Sequence, residues 1–102
     1  AVTDLERATR LAPGDAHLHN NLGFVLLVAG NYAEAEPALR EALRLDPSNG
    51  RARNNLGFVL AALGRTDEAR EVFRAVVGDE GAERNLRVGA QLYSSTQPLE
   101  AP

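Results

Sequence analysis

The chain has 102 residues, enough for about one domain. Eleven Arg stand against 14 Asp and Glu, so the formal charge is −3, which is no footprint for nucleic acid or an anionic membrane. Cysteine is absent, which excludes disulfides and Cys-ligated metal, and no apolar run approaches the roughly 18 residues of a membrane span. Apolar spacing and helix breakers predict six helices in this order. Residues 2–12 form the first. Residues 16–29 hold no Pro and stop at Gly30-Asn31. Residues 33–45 place Ala35, Leu39, Ala42 and Leu43 on one stripe, and Pro37 is expected to bend that helix slightly. Asp46-Pro47-Ser48-Asn49-Gly50 then breaks the chain. Residues 50–63 and 67–77 follow on either side of Gly64-Arg65, and residues 80–93 form the last helix. Residues 94–102 are expected to be a disordered tail.

The helices repeat. Residues 20–26, Asn-Asn-Leu-Gly-Phe-Val-Leu, recur unchanged at 54–60, an offset of 34 residues. At the same offset Gly30, Glu34, Ala35 and Arg40 match Gly64, Glu68, Ala69 and Arg74. Backward, Ala1, Leu5, Ala8, Arg10, Leu11 and Pro13 match Ala35, Leu39, Ala42, Arg44, Leu45 and Pro47. The pattern resembles the tetratricopeptide repeat, a 34-residue helix–turn–helix marked by Leu-Gly, a later Ala, a large apolar residue and a Pro. Leu22-Gly23, Ala35, Leu39 and Pro47 fit one repeat; Leu56-Gly57, Ala69 and Phe73 fit the next. His19 and Arg53 replace the family's aromatic, and Leu26 and Leu60 its Tyr.

The resemblance implies an all-α, right-handed superhelical array over residues 1–93. Its parts are a half repeat (1–13), two full repeats (16–49 and 50–79) and a capping helix (80–93). Gly23 and Gly57 are expected to admit the second helix where Ala35 and Ala69 sit. In the third unit Arg87 replaces that Gly and would clash with a following helix, so the array should end there. Glu80–Arg84 and Glu83–Arg87 are spaced to support the cap. The first helix lacks the partner that should precede it. That predicts a chain cut from a longer one, or an end that pairs with another copy.

Little points to catalysis. His17 and His19 lie roughly 200° apart around a helix, so they cannot share a metal on one face. Glu34 and Glu36 are also two apart, and nothing marks a Ser as a nucleophile. No enzyme activity, cofactor or metal is expected. Apolar surface, by contrast, is in excess: beyond the stripe of Leu22, Val25 and Leu26, a second stripe runs through Phe24, Leu27 and Val28. The resemblance places the first helix of each repeat on a concave groove. It implies Asn20, Asn21, Phe24, Leu27 and Val28 there, with Arg51, Asn54, Asn55 and Phe58, and then Arg84, Asn85 and Val88.

Asn21, Asn55 and Asn85 share one repeat position. Their carboxamides could pair with a peptide backbone, above a floor of Phe24, Phe58 and Val88. The absence of Lys makes the carboxylate clamp of chaperone cochaperones a poor match. The expected role is a non-catalytic scaffold or adaptor for a protein or peptide partner, with Arg51 and Arg84 favouring an acidic residue. The alternative is a self-associating structural module, a homodimer through the first helix or the groove. The absence of Lys, Ile and Met, with Ala, Leu, Val and Arg dominant, is a GC-rich coding bias. It predicts a bacterial source, in cytoplasm or periplasm, and is similar in style to secretion and pilus-assembly proteins of this repeat class.

Overall fold

A computed structural model describes residues 2–97. Among them the chain is helices joined by short turns: α1 (Val2–Leu11), α2 (Ala16–Val28), α3 (Tyr32–Leu45), α4 (Gly50–Ala62) and α5 (Thr66–Thr96). Gly78, at φ 74° and ψ −176°, breaks α5 into two limbs, 66–77 and 79–96. A left-handed φ costs glycine little, so the chain turns here without a loop. The six helical segments are those the spacing predicts.

Local chemistry sets the boundaries. The Asp15 carboxylate accepts from His17 N–H at 3.0 Å and caps α2. The Asn49 side-chain oxygen Oδ1 accepts from Ala52 N–H at 3.1 Å and caps α4. α2 ends in a Schellman turn: Asn31 N–H donates to Leu26 C=O and Gly30 N–H to Leu27 C=O. Arg65 and Gly64 repeat it on Leu60 and Ala61. α3 keeps helical backbone through Pro37.

Where a tail was expected, α5 continues through Ser94, Ser95 and Thr96. Nothing before Pro98 stops it. The Ser95 hydroxyl donates to Leu92 C=O and the Thr96 hydroxyl to Tyr93 C=O, both at 2.8 Å, so the polar side chains are satisfied within the helix. The rest of the expected tail, 98–102, lies outside the described residues.

The core runs along the array: Leu26, Ala35, Leu39, Leu56, Val59, Leu60, Ala69, Phe73, Ala82 and Leu86 are buried. The repeat glycines make room for the partner helix: the nearest atoms to a Cβ on Gly23 would be those of the Leu39 side chain, and to one on Gly57 those of the Phe73 ring. The missing Cβ makes room for the large residue four positions beyond the Ala. Gly89 does the same for Ala61, letting the second limb of α5 lie close against α4.

Charge is arranged outside this core. Glu36, Arg40, Glu68 and Arg65 close a four-membered ring with contacts of 2.8–3.0 Å, joining α3 to the start of α5. The Arg65 hydrogen bond, reinforced by Arg40, holds the Glu68 carboxyl below the usual carboxylate range. Glu83 pairs with Arg70 at 2.9 Å across the Gly78 break, rather than with Arg87. Asp79 likewise takes Arg74 at 2.7 Å, so both contacts clamp the two limbs together.

Candidate protein-binding groove

α2 and α4 lie side by side, and a cleft of about 270 Å³ opens between them. Its lining is Asn20, Asn21, Phe24, Arg51, Asn54 and Asn55. All six were singled out from the sequence. The identical heptapeptides explain the meeting: equivalent turns of two adjacent helices carry the same polar pair. A larger hollow, about 400 Å³, lies at the turn end of the array between Tyr32 and Tyr93, but it contains none of the predicted site residues.

The Asn row is partly used within the protein. Asn55 Nδ2 donates to Asn20 Oδ1 at 3.1 Å, and Asn85 Nδ2 donates to Asn54 Oδ1 at 3.1 Å. Each bond links one repeat to the next. The repeat position alone implies that the carboxamides of Asn55 and Asn85 are free for a ligand. One N–H of each instead bonds to its neighbour helix, because the fifth position of each full repeat is also Asn. That doubled Asn was the signal available in the sequence. Asn21, exposed, has no such partner among the described residues.

The apolar residues also divide. Phe24 is 50% exposed and Val88 49%. Val28 is 71% exposed. Leu27 is partly buried against the core. Phe58 is partly buried too, its ring 4.9 Å from that of Phe73 in an edge-on contact at 69°. It therefore anchors α4 to α5 and does not share an open floor with Phe24. Arg51 and Arg84 are exposed, and neither has an ion pair or hydrogen bond among the described residues. Arg51 stands in the cleft; Arg84 is one helix further along.

Among the described residues no cluster of His, Asp and Glu could hold a metal, and no helix is long and apolar enough to cross a membrane. No curated protein matches the chain. The family model for the tetratricopeptide repeat matches residues 1–38 and 25–85, most of the chain. Those spans contain both copies of the heptapeptide and both Gly-over-large-residue contacts. Proteins of this class generally use such repeats for protein–protein interaction, as a module that is typically not catalytic. On its repeat, its fold and this match, the chain belongs to the tetratricopeptide repeat family.

Proposed function

We propose that the chain is a non-catalytic scaffold that holds a segment of a partner protein on the face made by α2, α4 and the second limb of α5. The observation that carries this is the cleft itself. It combines the half-exposed Phe24 ring with an unpaired guanidinium and carboxamides that have hydrogen-bonding capacity to spare. An exposed aromatic beside polar groups suits a side chain from outside. Phe24 is the residue to change, since Phe58 serves the core. Peptides selected from a displayed random library on the wild-type chain should bind Phe24→Ser at least about tenfold more weakly, the loss of one aromatic anchor. They should bind Leu11→Ser, altered on α1, as they bind wild type, with circular dichroism confirming helix in all three. Equal binding to Phe24→Ser removes the groove reading.

A second reading is self-association through α1 and the adjacent side of α2. It is supported by α1 having no buried residue and by Leu11 at 80% exposure. Light scattering over two decades of concentration separates the readings. A mass that rises with concentration, and falls back in Leu11→Arg, supports self-association; a constant single-chain mass removes it.

A further inference from the structure

The cleft has an electrostatic polarity that the plain groove reading does not use. α2 and α4 contain no Asp or Glu, although the chain carries 14. Carboxylates on α3 and α5 engage Arg40, Arg44, Arg65, Arg70 and Arg74. Arg51, by contrast, presents its five N–H donors to the cleft with no partner among the described residues. The Asn pairs leave hydrogen-bonding groups beside it: in each, the earlier helix supplies the oxygen, so Asn20 and Asn54 keep both Nδ2 hydrogens, while the later Asn keeps its own Oδ1 as an acceptor. No buried side-chain nitrogen or oxygen lacks a partner among the described residues, so these spare donors are reached by solvent, and both Asn20 and Asn54 line the cleft. A wall with one fixed positive charge, amide donors beside it and no carboxylate favours an anion. Phe24, on the same wall, favours an apolar group beside it.

We propose that the occupant of the cleft is an acidic segment of a partner protein, with an Asp or Glu carboxylate on Arg51 and an adjacent apolar side chain on Phe24. Arg51 is the specificity residue: its planar fork matches a carboxylate in two hydrogen bonds. Arg84, one helix away, lines a different hollow beside the carboxylates of Asp79, Glu80 and Glu83, so Arg51 alone carries this preference. This rests on the groove reading, and the experiment distinguishes the two.

A random twelve-residue peptide library is displayed and selected separately on wild type, Arg51→Gln and Phe24→Ser. The proposal expects wild type to enrich peptides with Asp or Glu beside an apolar residue. Replacing those acids by Asn or Gln should weaken binding about tenfold, and Arg51→Gln should erase that difference. Enrichment with no acid preference, lost in Phe24→Ser, overturns the acidic occupant and leaves the groove reading standing. Acid-rich peptides that ignore Arg51→Gln overturn the proposal as well. Peptides that bind Phe24→Ser and Arg51→Gln as they bind wild type, or no enrichment at all, overturn both.

Discussion

α2 and α4 contain the same seven residues in different surroundings. Leu56 and Val59 are buried in α4, while Leu22 and Val25, their copies in α2, are half-buried. Phe24 stands half in solvent, whereas Phe58 leans on Phe73. The sequence is identical, so neighbours make the difference. α4 packs against α2, α3 and α5. α2 packs against α1, α3 and α4, and no helix among the described residues lies against it as α2 lies against α4. In a one-dimensional array each repeat owes its burial to the repeats beside it. A groove residue and a core residue can therefore share a motif position.

The sharpest way to break this comparison is at the fourth position beyond the repeat Ala. Phe73 and Leu39 are both fully buried over their glycines. Phe73→Ala should cost about 3–5 kcal/mol, with Leu39→Ala toward the lower part of about 2–5 kcal/mol, because the Phe73 site also loses its contact with Phe58. Urea unfolding of both variants measures this. A greater loss for Leu39→Ala would mean that the first repeat, not the second, holds the array together.

The twin leucines sharpen the same contrast. Leu56→Ala should cost about 2–4 kcal/mol and Leu22→Ala about half as much, since Leu22 already spends part of its surface in water. Equal losses would show that something covers α2 in solution, and a concentration dependence of the Leu22→Ala midpoint would identify it as another copy.

The sequence foresaw much of this, for physical reasons. Helix positions follow from apolar spacing, Gly30 and Gly64, and Pro47, all of which act within a few residues. The cleft residues follow from the repeat offset, since adjacent helices bring equivalent positions together. What failed was what depends on a neighbour's side chain. Phe24 and Phe58 read alike until Phe73 was placed. Asn55 read as free until Asn20 stood opposite. Glu83 is spaced for Arg87 on its own helix, but the turn at Gly78 brings Arg70 within reach.

The Asn pairs offer a smaller, cleaner contrast. Asn20 and Asn55 should couple by about 0.5–1.5 kcal/mol in a double-mutant cycle of alanine variants, as expected for one hydrogen bond at a partly buried site. Asn21→Ala, at the same repeat position as Asn55 but without a partner among the described residues, should change stability by no more than about 0.5 kcal/mol. A coupling near zero would mean that water serves Asn20 as well as Asn55 does.

The smallest effect is on the outer surface, where the ring of Glu36, Arg40, Glu68 and Arg65 ties α3 to α5. Arg40, Arg65 and Glu68 are exposed and Glu36 is half-buried, so each pair contributes little on its own. The sign is nevertheless set. Hydrogen bonding from Arg65, then from Arg40, lowers the Glu68 carboxyl from its ordinary 4.5 in the folded chain. The unfolded chain therefore takes up the proton first. The stabilisation is fully present above about pH 4.5 and is lost as the pH falls through the lowered folded value. Thermal midpoints of wild type and Glu68→Gln, taken from neutral pH downward, should converge on acidification as wild type loses its advantage. Molar salt should narrow the neutral-pH gap in advance, because screening acts on exposed pairs. Curves that stay parallel through this range would show that the ring forms without stabilising the junction. α3 and α5 would then be held together only through α4, which packs against both.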